Sequence, residues 1–432
     1  MNFDSYIDAS KEEMIETLRG ALKIKSVSGA DGSPFPYGQG VHDCLEYVLG
    51  AAEEMGFRTC DLDGRVGWAE YGGEDLEMIA VVTHLDVVPE GDGWTHDPYG
   101  GETEDGRLYG RGTMDDKGAA VTALYALKAI KDSGVGLKRR VRLLFGCDEE
   151  AGCGDMKYYV ESGAEIPVAG FTPDGEYPLI NGEKGLITEY YRCAYSASVR
   201  EVAGGTAVNM VPDSAYAVLA DGTRIETAGR AAHGSTPEKG DNAIAKLIDM
   251  LDALRLEGKE GETYQFLRNK IGYEYDGRSM GIKMEDEVSG PLTFNLGTIR
   301  GDAGGITVGV NYRYPVTKKY EDCVPEVRRR FAEAGFELDS ASVADKLYVS
   351  EDSALVKTLM DVYNGYTGEN ARPISIGGGT YAKTIPNILA FGPIFPDDEV
   401  TEHKADENMK IERLYDVAKI NARAIYALCN EI

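Results

Sequence analysis

Short runs of β-branched and apolar residues recur along this chain, with longer stretches of helical period between them. "MIAVV" (78–82), "RVRLLFG" (140–146), "VAGFT" (168–172) and "NILAFG" (387–392) read as buried strands. "VHDCLEYVLGAAEEMGF" (41–57), "GAAVTALYALKAIKDSG" (118–134) and "IERLYDVAKINARAIYALCN" (411–430) read as helices. Parallel neighbours need a crossover between them, and a helix is the usual one. The alternation therefore predicts an α/β domain with a mixed, mostly parallel sheet.

The stretch from 186 to 346 has a different texture. Strand-like segments dominate it: "LITEYYRCAY", "DSAYAVLA", "PLTFNLGTI" and "ITVGVNYRYP", with amphipathic helices near 242–256 and 323–335. "GGTAVNMVPDSA" and "GGITVGVNYRYP" suggest two related halves. The expected organisation is a catalytic domain over 1–185 and 347–432, split by an α+β lid domain over 186–346.

Composition narrows the function classes. The 432 residues exceed one ordinary core, and 73 acidic against 45 basic residues give a formal charge of −28. Nucleic acid and anionic membranes both call for a basic face, so neither is expected as a partner. No apolar run approaches the roughly 20 residues that span a bilayer. The start "MNFDSYIDASKEEMIETLRG" is polar and acidic, unlike a signal peptide. Seven cysteines without CxxC pairs argue against a disulfide framework, and Cys147 and Cys153 read as small buried residues. These features together point to a cytoplasmic protein.

The chemistry-bearing residues fall at strand ends. His84 closes the first run, and Asp86, two residues on, should face the same side. Glu149 and Glu150 follow the second in "GCDEEAGCGD", and Asp174 follows the third in "TPDGEYPL". His403 follows the fourth in "DDEVTEHKADEN", while Asp115 lies in "YGRGTMDDKGAA", just before a helix. Ligands of open α/β sheets bind at that carboxyl edge. Any one of these residues alone would be a solvated charge or a hydrogen-bonded core histidine. Jointly, two histidines and three carboxylates suit two Zn²⁺-like ions sharing one carboxylate, with Asp86 orienting the His84 imidazole. His42 and His96 read as structural. HExxH, GxSxG and GxxxxGK[ST] are all missing from the sequence, and "SIGGGTYAKTIPN" (375–387) reads as a tight backbone turn near the substrate.

"THLDVVPEGDGW", "YGRGTMDDKG", "CDEEAG", "TPDGEYPL", "AHGSTPEKGDNA" and "GGGTYAKTIPNILAFGPIFPDDEVTEHKADE" together resemble the M20 family of dinuclear metallopeptidases. The bacterial dipeptidase V branch, of Xaa-His or carnosinase type, is the nearest part of it. The resemblance implies a Zn-exopeptidase-like catalytic domain with a ferredoxin-like lid. It implies that His84 and Asp174 hold one metal, that Glu150 and His403 hold the other, and that Asp115 bridges them. Glu149 would be the general base acting on a metal-bridged water, and Asp86 the clamp on His84. From the lid, Asn209, His233 and Arg313 would meet the substrate, and the Asp115–Asp116 peptide would be cis. His233 ends the strand-like "RIETAGRAAH"; on its residues alone it reads as a turn histidine, and only the resemblance makes it an oxyanion donor.

The implied activity is hydrolysis of dipeptides or short peptides with a free amino terminus, by a monomer with two divalent ions. Zinc is the expected metal, with manganese or cobalt as alternatives. Two competing readings are a deacylase of N-acyl or N-succinyl amino acids and a non-catalytic metal- or peptide-binding relative. The inserted segment is shorter than in the best-known members, which leaves pocket size and substrate open.

Overall fold

A computed structural model describes residues 1–30, 32–73 and 76–432. The chain forms two compact units, one of Met1–Asn181, Val349–Ile374 and Thr380–Ile432, the other of Gly182–Tyr348 and Ser375–Gly379.

In the first unit the sheet runs Arg58–Leu62, Val66–Tyr71, Arg140–Gly146, Met78–His84, Ala169–Thr172, Ile388–Ala390, then the start of Ile180–Glu183. Its four central strands, from Arg140–Gly146 to Ile388–Ala390, are parallel, and every residue in them is buried. Parallel strands are covered on both faces, which is why they read as continuous apolar runs and not as alternating ones. Helices Lys117–Asp132 and Ile411–Asn430 pack on each other and against Met78–His84 and Arg140–Gly146, while Gln39–Glu54 packs on the two strands nearest the sheet edge. The first of these is buried around nearly its whole circumference over its first three turns, as an enclosed helix must be.

Two of the strand limits that differ from expectation bear on the site. The first strand continues through Thr83 to His84, so the histidine is itself a strand residue. The last shrinks to Ile388–Ala390, because Gly392 leaves the extended region at φ 78° and Pro393 has no N–H to give a neighbour. A hairpin of Arg58–Leu62 with Val66–Tyr71 turns through Asp63 and Gly64, both at left-handed φ. A separate three-stranded sheet joins Glu102–Glu104, Arg107–Tyr109 and Asn408–Lys410.

The second unit is an α+β body around a seven-stranded antiparallel sheet. Its order is Arg224–Ala228, Ser214–Leu219, Val199–Gly204, Thr293–Asp302, Gly305–Tyr314, Gly185–Ala194, Glu337–Ala344. Burial alternates strictly over most of Gly185–Ala194, so one face of the sheet carries the core. Ile187, Tyr191 and Val308 meet Ile244 and Leu247 of helix Ala243–Ala253 and Phe331 of helix Val324–Glu333 in one apolar cluster. A third helix, Gly258–Lys270, completes the unit. Among the described residues no helix is long and apolar enough to cross a membrane, and all seven cysteines are free.

Candidate active site

The parallel strands open their carboxyl ends toward one edge of the first unit's sheet. His84 is the last residue of its strand, Asp174 lies two residues past Ala169–Thr172, and Glu149 and Glu150 lie just past Arg140–Gly146. Asp115 precedes helix Lys117–Asp132 across a cis peptide to Asp116, and His403, at φ 59°, sits in the loop before Asn408–Lys410.

Folding gathers these residues into two groups that share Asp115. His84, Asp115 and Asp174 form one; Asp115, Glu150 and His403 form the other, with ligand-type atoms in each lying within 4.8 Å of one another. His84 Nε2 is 2.9 Å from Asp115 Oδ1 and 3.9 Å from Asp174 Oδ2. His403 Nε2 is 3.0 Å from both Asp115 Oδ2 and Glu150 Oε1. One oxygen of Asp115 thus faces each group.

Around these groups, buried polar contacts fix the scaffold. The His84 ring directs Nδ1 to the Asp86 carbonyl at 3.0 Å, with Asp86 Oδ1 at 3.4 Å, which leaves Nε2 for the cluster. The two carboxylate oxygens of Asp86 also accept the main-chain N–H groups of Glu149 and Glu150, each at 3.1 Å. Asp116 Oδ2 accepts the His84 N–H at 3.0 Å. Asp155 accepts the N–H groups of Cys147 and Asp148 and the Tyr381 hydroxyl, holding the start of the acidic turn. Gly146 makes room for this: a Cβ there would lie 2.0 Å from the Tyr381 oxygen. Glu407 accepts three N–H groups from the loop that ends in Asp115. Sequence reading gave no supporting role to Asp116, Asp155, Tyr381 or Glu407, because the first two and Glu407 hold mainly main-chain N–H groups and Tyr381 holds Asp155, contacts that no spacing announces.

The electrostatics favour a cation. Burial, with Asp115 next, pushes the Asp174 carboxyl up to about 8. Glu149 is held well above the ordinary range, first by burial and then by Asp174, and Glu150 is raised by burial and Asp115. Burial opposes protonation of His403, but hydrogen bonds to Asp115 and Glu150 outweigh it and carry the imidazole up to about 11. Carboxylates packed this closely are stabilised by added positive charge. Two imidazoles and three carboxylates also match the nitrogen and oxygen donors that zinc accepts, so the residues fit divalent cations.

In the second unit the three residues expected to meet substrate gather locally. His233 pairs with Met210 across a two-residue ladder, next to Asn209, whose carbonyl accepts the Gly234 N–H at 2.7 Å. The His233 ring has Nδ1 2.6 Å from Ser235 Oγ and Nε2 3.4 Å from the guanidinium of Arg313. Arg313 is buried, donates to the Gly377 carbonyl at 2.7 Å, and is lowered by burial to about 10. His233 and Asn209 are exposed. Gly377 belongs to the glycine-rich stretch expected to turn tightly. His42 and His96 lie outside both groups: the first stacks on Phe35 and the second on Tyr109.

The description "Peptidase family M20/M25/M40" matches residues 80–427. The chain is 36% identical to "Putative dipeptidase YtjP" of Bacillus subtilis (strain 168), over 99% of this chain and 100% of that protein. It is 33% identical to a Staphylococcus epidermidis protein of the same description, over 98% of each. Human carnosine dipeptidase 1 has a similar fold, with a TM-score of 0.63 at 17% identity, covering 99% of this chain and 98% of the other. So does an M20 family metallo-carboxypeptidase of Sulfolobus solfataricus, at 0.63 and 18%, covering 96% and 98%. With its motifs in order along nearly the whole length, this chain belongs to peptidase family M20/M25/M40 and is a hydrolase.

Proposed function

We propose that this chain hydrolyses dipeptides and other short peptides bearing a free amino terminus. His84, Asp115 and Asp174 would hold one divalent cation, and Asp115, Glu150 and His403 a second, zinc before manganese or cobalt. The observation that carries this reading is the pair of groups sharing Asp115, with Glu149 beside them. The dipeptidase descriptions of full-length relatives support the substrate class. When bound, the cations supply Lewis acidity for the carbonyl and make water a stronger acid.

The protein's own groups do the rest. Glu149 takes a proton from the attacking water and returns it to the leaving amine, a task suited to a carboxylate whose proton affinity is already raised. Asp86 fixes the His84 ring and the main chain of the acidic turn. To Arg313 and Asn209 of the second unit we assign binding of the substrate's polar ends, and to His233 donation to the carbonyl oxygen as it gains charge. We take the working form to be a cytoplasmic monomer, a state that sedimentation would check.

A substrate panel tests the proposal. Dipeptides, N-acetyl amino acids and N-succinyl amino acids would be compared with zinc present and after chelation. Cleavage should favour dipeptides, require a free amino terminus and disappear with chelator. Preference for an acylated amino acid would reassign the substrate, and chelator-resistant cleavage would remove the metal role.

A further inference from the structure

One buried carboxylate outside the two groups is tied to both of their loops. Glu407 is fully buried, and a single oxygen, Oε1, accepts the main-chain N–H groups of Gly112, Met114 and Asp115 at 3.1, 2.9 and 3.2 Å. Its other oxygen pairs with Arg111, itself 1% exposed. Arg111 is held in turn by the Glu90 carbonyl at 3.3 Å and by the Trp94 ring beneath its guanidinium. Gly112 lies at φ 95°, and a Cβ there would press on Lys117 and Val87, so the loop follows one narrow path around the carboxylate.

Glu407 stands four residues after His403, in a loop pinned at its ends. Thr401 Oγ1 donates to the Asn408 carbonyl at 3.0 Å and accepts the Asn408 N–H at 3.1 Å. The next residues, Asn408–Lys410, pair with Arg107–Tyr109, which leads into the Asp115 loop. One closed loop therefore carries His403, while Glu407 from the same loop grips the backbone of Asp115. The two ligands are nearly 300 residues apart in sequence, yet His403 Nε2 and Asp115 Oδ2 come within 3.0 Å.

We propose that Glu407 is a positioning residue: by accepting three N–H groups of the Asp115 loop, it sets the spacing of Asp115 and His403. It thereby sets the affinity of the Asp115–Glu150–His403 group for its cation. This rests on the metal reading above. Outer carboxylates that orient ligands are typically worth about 10–100-fold in metal affinity.

The experiment strips wild-type and Glu407→Gln protein of metal, checks folding by circular dichroism, and titrates Zn²⁺ against a chromophoric chelator. Wild type should take up two ions. Glu407→Gln should stay folded and bind at least one ion about 10–100-fold more weakly; because Asp115 also serves the His84–Asp174 group, the second ion weakens with it or holds. Raising zinc should restore its turnover, which a lesion of the fold would not allow. If wild type takes up fewer than two ions, the metal reading falls and this inference with it. Two ions in wild type, with both Glu407→Gln constants within about threefold, overturn the inference alone. Should Glu407→Gln not fold, Arg111→Met/Glu407→Gln, which removes both charges, goes through the same titration under the same limits. Failure of both variants to fold also overturns the inference, because Glu407 would then act on the fold.

Discussion

The main-chain N–H of Glu149 donates to Asp86 Oδ1 across 3.1 Å, and through that contact the acidic turn and the His84 ring share one buried support. Truncating Asp86 would strand two part-buried N–H groups, each costing about 1–3 kcal/mol at most. Asp86→Ala should therefore lose roughly 2–6 kcal/mol in urea denaturation. Its zinc affinity should fall by about 10–100-fold. Stability within about 1 kcal/mol of wild type would remove Asp86 from this role.

Glu149 is read as the proton carrier and not as a ligand. Glu149→Gln should keep both metal equivalents by elemental analysis while turnover drops by about 10²–10⁴-fold. Loss of one equivalent would make Glu149 a ligand instead, and near-normal turnover would end its part in the chemistry.

His233 is exposed and flanked by Ser235 and Arg313. If it donates to a carbonyl oxygen gaining charge, His233→Ala should reduce kcat by about 10²–10³-fold with KM within several-fold. Folding and metal content should not change. A variant with unchanged kcat would leave His233 as a turn residue held by Ser235.

Metal uptake should release protons. In the metal-free site His403 is pushed up to about 11 and Asp174 to about 8, so both carry protons at pH 7. Ligands bind metal deprotonated. The sign follows: uptake expels protons, and zinc affinity rises with pH up to the region where these groups lose them unaided. Calorimetric titration at pH 7 in buffers of differing ionisation enthalpy should show net release of at least one proton per chain. Net uptake would contradict the protonation pattern.

How much of this could be read in advance depended on the kind of signal each element carries. His84, Asp174 and the Glu149–Glu150 pair were legible because each sits at the end of an apolar run, and parallel strands send such ends to one edge. Glu407 and Asp155 were not, since what they bind is mainly the main chain of other segments. Asp63–Gly64 is a hairpin turn signal, but the strand before it is only partly buried and forms no continuous apolar run. Helix Gly258–Lys270 is mostly polar and lacks a clear apolar stripe. Strand Glu337–Ala344 is exposed nearly throughout, so burial imposed no alternation on it.

The place of Ile388–Ala390 in the sheet sets a clock for biosynthesis. This strand pairs in parallel with Ala169–Thr172, residue 388 beside residue 170. A ribosome adding about 5–20 residues per second reaches it roughly 10–45 s after the earlier strand is made. Through that interval the earlier strand has an open edge on the nascent chain. The whole of Gly182–Tyr348 is synthesised meanwhile, with its own sheet and core. The second unit is thus free to fold first, while the open side of Ala169–Thr172 waits for a partner from near the end of the chain, a window in which a holding chaperone would be most useful.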